Sequence, residues 1–150
     1  MSLTGLRLPT EAEWEYAYRA ATTAAFHSYP AQPDGFNDDT LLGNIAWYFS
    51  NRGSQTHVVG GKFANGLGLH DMAGNVFEWC QDWYGPYSTA SVTNPTGPTT
   101  GKYRLLRGGD WNSGSYPYFP GYCRASQRDF NVPSVIDVYV GFRAARNPYP

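Results

Sequence analysis

Turn-forming residues recur so often after residue 21 that this chain has room for only one long helix. They divide the segment 27–66, where they stand at Pro30, Pro33-Asp34-Gly35, Gly43-Asn44, Gly53 and Gly60-Gly61. The whole chain contains 17 glycines and 11 prolines, and aromatic residues, at 17%, supply large rings for a small core. The sequence therefore predicts an α+β domain with few, short strands and helices and many loops.

One segment carries a complete helix-start signal. Thr10 precedes Glu11-Ala12-Glu13, so the Thr10 hydroxyl can accept a hydrogen bond from the Glu13 amide while the Glu13 carboxylate accepts one from the Thr10 backbone. Apolar residues then recur at helical spacing and form one face, which consists of Trp14, Ala17, Tyr18 and Ala21. The pattern predicts a helix from about Glu11 to Ala21 that buries Trp14.

Three short segments rich in branched and aromatic residues predict strands, at 76–80, 103–107 and 139–143. Residues 85–102 are rich in Ser, Thr, Pro and Gly and predict an exposed loop. No internal repeat or linker divides the chain, and 150 residues suffice for one hydrophobic core. We expect a single domain over residues 1–150.

Charge and hydropathy exclude two classes of partner. The formal net charge is −1, so the chain lacks the excess of positive charge that is typical of proteins that bind nucleic acid. No apolar run approaches the length that a membrane-spanning helix requires. We therefore expect neither nucleic-acid binding nor a membrane span.

Four motifs occur in order along the chain and resemble those of the formylglycine-generating-enzyme (sulfatase-modifying-factor) family. They are Arg7 to Glu15 (RLPTEAEWE), Gly66 to Cys80 (GLGLHDMAGNVFEWC), Arg107 to Trp111 (RGGDW) and Val140 to Arg143 (VGFR). The second motif departs from the family pattern by His70 in place of a tyrosine and Phe77 in place of a tryptophan. The resemblance implies a C-type-lectin-like fold, with the N-terminal half of the family's domain apparently absent.

The same resemblance bears on catalysis. Enzymes of this family oxidise a substrate cysteine with two active-site cysteines that can hold copper(I), and these follow the first glycine of RGG by five and ten residues. Counting from Gly108 gives Ser113 and Tyr118, neither of which is a soft ligand or a redox thiol. The resemblance therefore implies that no copper is bound and that catalysis of this type is absent. A formylglycine-generating-type oxidase or related sulfatase-modifying enzyme remains the alternative.

The two cysteines of the chain, Cys80 and Cys123, lie elsewhere. Two arrangements are equally compatible with the sequence. A disulfide between them would close a long loop and stabilise the fold, whereas two buried free thiols would pack as small apolar side chains. A catalytic thiol is the least favoured alternative, since no His or Lys is nearby in sequence to lower a thiol pKa.

The resemblance also implies structural calcium. The family's first calcium site corresponds to the Asp71 and Glu78 side chains and the carbonyls of Gly74 and Val76. A second site corresponds to the Asn44 and Asn51 side chains and the carbonyls of Ile45 and Gly53. Oxygen ligands of this mixed kind suit calcium, but Asn51 stands where the family often has Asp and removes one charge. The alternative is that Asp71 and Glu78 cap turns and pair with arginines.

Two C-terminal blocks, 112–122 and 129–139, have an unusual composition. The first is rich in Tyr, Ser, Gly and Asn, as antibody paratopes are. Neither block contains Lys, Glu, Gln, Met or Trp, although about three such residues are expected from their frequency in the rest of the chain. The residues present are those reachable from an asparagine codon by replacing its adenines. This pattern is similar to that of variable proteins of diversity-generating retroelements, many of which use this fold.

We therefore expect a calcium-braced scaffold that displays a face for an unidentified protein or glycan ligand. The alternatives are a structural relic, in which these rings fill an irregular core, and an enzyme. The candidate ligand-binding residues are Asp110, Asn112, Ser113, Ser115, Tyr116, Tyr118, Phe119, Tyr122, Asp129, Phe130, Asn131, Ser134, Ile136, Asp137 and Tyr139.

Overall fold

The predicted helix is present as α1 (Glu11–Arg19) in a computed structural model that describes residues 5–113 and 120–147. Its capping box is formed as expected. The Glu13 amide donates to Thr10 Oγ1 at 3.2 Å, and the Thr10 amide donates to the Glu13 carboxylate at 2.8 Å. The helix ends earlier than predicted because Ala20 adopts the left-handed conformation and caps it.

A four-stranded sheet forms the centre of the fold, with strand order β6-β5-β4-β7. Its two middle strands, β4 (Phe77–Trp83) and β5 (Arg104–Arg107), are antiparallel. On one side β6 (Asp129–Asn131) pairs antiparallel with β5, and on the other β7 (Val140–Gly141) pairs parallel with β4. The strands β6 and β7 therefore occupy opposite edges of the sheet, which separates the two ends of the 129–139 block.

Two smaller sheets and two short 3₁₀ helices complete the regular structure among the described residues. The antiparallel pair β1 (Leu6–Arg7) and β8 (Ala145–Arg146) brings the two described ends of the chain together. The parallel pair β2 and β3 joins the middle of the chain to the motif that precedes β4. The remaining elements are β2 (Ala46–Trp47), β3 (Ala73–Gly74) and the 3₁₀ helices Asp39–Asn44 and Pro120–Cys123.

The core lies between α1 and the sheet. Trp14 and Tyr18 are fully buried there, as the helical spacing predicted, and the Tyr18 hydroxyl donates to the Cys123 carbonyl at 2.6 Å. Arg107 from β5 is also fully buried and forms an ion pair with Glu15 of α1 at 2.5 Å. This pair joins helix to sheet without leaving either charge unpaired in the interior.

The predicted strands correspond to β4, β5 and β7, and residues 85–102 are largely exposed and contain no helix or strand. The α+β prediction is confirmed. Across residues 5–113 and 120–147, no helix is long and apolar enough to cross a membrane.

Candidate functional site

The turn that follows β5 is fixed by side chains of its own residues. Asp110 Oδ1 accepts hydrogen bonds from the Asn112 amide at 2.8 Å and the Ser113 hydroxyl at 2.9 Å, and the Asp110 amide donates to Ser113 Oγ at 2.8 Å. Asp110 is only 7% exposed and Ser113 only 6%. Burial raises the pKa of the Asp110 carboxyl. Both residues were predicted to belong to the ligand-binding face, and in the structure their buried side chains shape the turn.

Trp111 stands outside the two compositional blocks but lies on the surface that they were predicted to form. Its ring centroid is 5.0 Å from that of Tyr139, and its Nε1 donates to the Val138 carbonyl at 3.4 Å. Both rings are half-buried. The contact joins the turn after β5 to the loop before β7, so the residue directly before the first block meets the end of the second block.

Arg52 is a third member of this surface, and no local sequence pattern predicted it. Its guanidinium lies 4.0 Å from the Phe49 ring centroid and 5.5 Å from that of Trp111. It also donates to Asn112 Oδ1. We call the cluster of Phe49, Arg52, Trp111, Asn112 and Tyr139 the aromatic–arginine face.

Exposed residues of the 132–139 loop border this face. Ile136 is 99% exposed and Val138 66%. Ser134 and Asp137 are exposed as well, and Asp137 Oδ1 accepts a hydrogen bond from the Tyr139 amide at 3.2 Å. The loop therefore presents apolar side chains next to a carboxylate.

The other predicted aromatic residues do not join the aromatic–arginine face. Phe130, on the opposite edge strand β6, packs 4.2 Å from Tyr84 and 5.0 Å from Tyr103 between ring centroids. The ring centroid of Tyr122 lies 6.4 Å from that of Phe77, and the two rings meet edge to face. Phe130 and Tyr122 are each 40% exposed. The predicted face is thus divided into separate groups, with Asp129 and Asn131 half-buried beside Phe130.

The predictions for Ser115, Tyr116, Tyr118 and Phe119 lie outside the described residues. This includes one of the two positions that correspond to the family's copper-binding cysteines. The other, Ser113, is buried in the turn described above.

Both cysteines are free and buried. Burial raises the pKa of the Cys80 and Cys123 thiols far above their ordinary range, so both are protonated at neutral pH. Gly109 makes the close approach to Cys123 possible, since a Cβ at Gly109 would lie 2.8 Å from the Cys123 sulfur. Of the two arrangements left open, the structure has buried free thiols.

The residues of the first predicted calcium site have different environments. Asp71 is buried, and its Oδ2 accepts a hydrogen bond from the Gly60 amide at 2.6 Å. Its Oδ1 is buried with no hydrogen-bond partner in the described part of the chain. Such an oxygen fits a hard cation, which would complete its coordination.

The buried Glu78 carboxylate already has a neutral hydrogen-bond donor, Trp14, and a positively charged partner, Arg143. Its Oε2 accepts from Trp14 Nε1 and from Arg143 Nε, each at 2.6 Å, and its Oε1 accepts from Arg143 Nη2 at 2.6 Å. The arginine pairing considered as an alternative role is therefore present. A calcium ion here would share Glu78 with Arg143.

At the second predicted calcium site, the side-chain amides of Asn44 and Asn51 form hydrogen bonds with backbone groups of the protein. Asn44 Nδ2 donates to the Leu41 carbonyl at 2.9 Å. The Asn51 side chain accepts from the Tyr48 amide at 2.8 Å and donates to the Ala46 carbonyl at 2.9 Å. Within the described ranges, no group of three or more His, Cys, Asp or Glu side chains is placed to hold a metal. Backbone carbonyls would have to supply several ligands at either site.

Comparison with known proteins gives a family match over almost the whole chain. A model of the sulfatase-modifying factor enzyme 1-like domain matches residues 2–148. The formylglycine-generating enzyme of Streptomyces coelicolor is 35% identical over 161 aligned residues, which cover 95% of this chain and 47% of that protein. The serine/threonine-protein kinase pkn1 of Chlamydia pneumoniae is 39% identical over 147 residues, which cover 95% of this chain and 21% of that protein.

Two solved structures extend this likeness to the fold. Treponema denticola variable protein 1 is 41% identical with a TM-score of 0.83, over 95% of this chain and 48% of that one. PvdO from Pseudomonas aeruginosa is 26% identical with a TM-score of 0.73, over 93% of this chain and 51% of that one. The chain thus spans about half or less of the length of these relatives. The expected C-type-lectin-like fold of the formylglycine-generating-enzyme type is confirmed.

Proposed function

Because the chain belongs to the sulfatase-modifying factor family and is similar to a variable protein of this fold, we propose that it is a non-catalytic ligand-binding domain. The observation that carries the proposal is the aromatic–arginine face, where the Trp111 and Tyr139 rings pack against each other at a tilt of 36° and Arg52 lies beside Trp111. Rigid aromatic rings next to an arginine are the usual composition of binding hot spots. The partner is an unidentified protein or glycan.

The surroundings of the face support binding. Ile136 and Val138 place apolar side chains in solvent on the loop that carries Tyr139. Large exposed apolar side chains beside polar ones are typical of interaction sites. Asp110 and Ser113 hold the adjoining turn through their own hydrogen bonds, so the face is organised before a ligand arrives.

The chemistry of the thiols and of Ser113 supports a non-catalytic role. Ser113 occupies a position at which the family's oxidases carry a cysteine, and its hydroxyl is committed to Asp110. The two thiols that exist are buried and protonated. An oxygen-consumption assay with copper and a cysteine-containing peptide tests this part, and turnover above the peptide-free rate would refute it.

Peptide selection tests the binding role. We expect random peptides displayed on phage to be enriched on the immobilised chain, and binding to fall at least about tenfold in Tyr139→Ser, since loss of an aromatic hot spot has effects of this size. Val92→Asp is the matched control, because Val92 is exposed on the 85–102 loop and does not belong to the face. If peptides still bind Tyr139→Ser but no longer bind Val92→Asp, the binding site lies outside the aromatic–arginine face.

Diversification of the two C-terminal blocks is part of the same proposal. Their composition and the similarity to a variable protein support it. We expect the genes of sister isolates to differ mainly at codons for residues 112–122 and 129–139. Identical sequences in these blocks, with ordinary variation elsewhere, would count against diversification but leave ligand binding intact.

Calcium bound at the first site would stabilise the segment 71–78, which is joined to the face by the hydrogen bond from the Trp111 amide to the Asn75 carbonyl at 2.9 Å. The unpartnered Asp71 Oδ1 supports this, with the carbonyls of Gly74 and Val76 and a shared Glu78 as further oxygen ligands. When bound, calcium would supply positive charge to a buried carboxylate. The second site, at Asn44, Ile45, Asn51 and Gly53, stays a prediction.

A further inference from the structure

Arg52 differs from most arginines of this chain in having no carboxylate partner. All 12 Asp and Glu residues of the sequence lie in the described ranges, 5–113 and 120–147, and none forms an ion pair with Arg52 there. Six other arginines do form ion pairs with these carboxylates, namely Arg7, Arg19, Arg107, Arg124, Arg128 and Arg143. The positive charge of Arg52 is therefore not neutralised by an acidic side chain of its own chain.

The guanidinium of Arg52 is nevertheless held in place. It lies over the Phe49 ring at 4.0 Å and beside Trp111 at 5.5 Å, and it donates to Asn112 Oδ1. Asn112 is in turn fixed by the hydrogen bond from its amide to Asp110. A guanidinium has five N–H donors, and in the described residues only Nη1 of Arg52 has a hydrogen-bond acceptor.

Such an arrangement suits a carboxylate of a ligand. Arginine and carboxylate form paired, charge-assisted hydrogen bonds, and a planar guanidinium already stacked on rings loses little freedom when it binds. Asp137 is the carboxylate of the neighbouring loop, and it accepts from the Tyr139 amide without pairing with Arg52.

We propose that Arg52 is the specificity-determining residue of the aromatic–arginine face and binds an Asp or Glu side chain of a protein ligand. The inference rests on the proposed binding function and names the chemistry of its ligand. Ile136, Val138 and the Trp111–Tyr139 pair provide apolar area next to the cation. The face is thus complementary to a segment in which an acidic residue adjoins apolar ones, and paired charges of this kind set partner choice.

The test uses random-peptide phage selection on the wild-type chain and on three Arg52 variants. We expect the peptides selected on the wild type to be enriched in Asp and Glu relative to the input library. Arg52→Lys keeps the charge but loses the planar, paired donors, so it should retain only part of that enrichment. Arg52→Gln should abolish it, and Arg52→Glu should shift the selected peptides toward Lys and Arg. Circular dichroism establishes that each variant is folded.

Synthetic copies of the selected peptides give the quantitative result. Acidic peptides should bind Arg52→Gln about tenfold more weakly than the wild type, since charged hydrogen bonds are lost, and binding to the wild type should weaken with added salt. If the selected peptides depend on Tyr139 but are not acidic, or bind Arg52→Gln equally well, the role of Arg52 is refuted while the binding function stands. If no peptide is selected that depends on Tyr139, the acidic protein ligand is refuted, and if no glycan binds through Tyr139 either, the binding function is refuted as well. A preference for sialylated glycans over acidic peptides on a glycan array would also overturn the assignment to a protein ligand.

Discussion

Trp14 and Arg143 share one carboxylate, because Trp14 Nε1 and Arg143 Nε both donate to Glu78 Oε2 at 2.6 Å. Trp14 belongs to the helix α1, Glu78 to β4, and Arg143 follows the edge strand β7. A single acidic side chain therefore connects the N-terminal helix, the centre of the sheet and the C-terminal segment. Its substitution should affect the whole domain.

Glu78→Gln should lower the free energy of unfolding by about 3 kcal/mol, the lower end of what breaking a buried ion pair costs, since Arg143 retains some solvent contact. Glu13→Gln is the control, because Glu13 pairs with Arg7 at the surface and exposed pairs contribute about 1 kcal/mol or less. Urea unfolding followed by circular dichroism measures both. Equal losses in the two variants would contradict a central role for Glu78.

Gly74→Ala should destabilise the domain severely. Gly74 has φ of 71°, and a Cβ there would lie 2.2 Å from the Trp47 carbonyl oxygen, which is backbone and cannot move aside cheaply. Gly53→Ala is the matched control: Gly53 has φ of 57°, but a Cβ there meets nothing within 4 Å. We expect a loss of about 1–2 kcal/mol from strain alone in Gly53→Ala, and little folded Gly74→Ala protein by circular dichroism. A folded Gly74→Ala variant as stable as Gly53→Ala would show that β2 and β3 do not approach so closely.

Removal of calcium should lower the melting temperature of the wild type. The reason is that a ligand bound only by the native state adds to its stability, and Asp71 would otherwise keep an unpartnered buried oxygen. Differential scanning calorimetry with excess calcium and with a chelator measures the difference. Asp71→Asn should melt at the same temperature in both conditions. An unchanged wild-type midpoint would show that calcium does not stabilise this fold.

His27 should make the protein less stable in mild acid. Its Nδ1 lies 2.8 Å from the Ser28 carbonyl, its Nε2 is buried without a partner among the described residues, and burial lowers the pKa of the ring. Below the ordinary histidine pKa of about 6.5, the unfolded chain binds a proton that the native state resists, so stability falls as pH falls until the native pKa is reached. One such group contributes at most about 1.4 kcal/mol per pH unit.

His27→Asn, which retains a donor near the Ser28 carbonyl, should flatten the dependence of unfolding free energy on pH between about 6.5 and 5. His70→Asn is the control, since His70 is exposed. A wild-type slope that persists in His27→Asn would place the titrating group elsewhere.

Local signals in the sequence predicted the framework well. The capping box at Thr10 and Glu13 needs only residues three apart, and Trp14 is identified as core by its place on the apolar face of α1. The strand β6 was not predicted, because Asp129–Asn131 has no strand pattern of its own and depends on pairing with β5.

The face was harder to predict because its members meet only in the folded chain. Arg52 and Trp111 are 59 positions apart in the sequence, and neither carries a local signal for the contact. Composition did identify Tyr139, but it could not distinguish displayed side chains from those that turn inward, as Ser113 does. Hydrogen bonding within a turn decides that difference.

The placement of β6 and β7 on opposite edges of the sheet has an evolutionary consequence. Three strand spacings of about 4.8 Å separate those edges, and Phe130 and Tyr139 contact different rings. Substitutions at sites this far apart without shared partners change stability additively. The stability cost of a substitution in one group therefore does not depend on the residues of the other group. The number of variants that still fold is then the product of the numbers tolerated at each group.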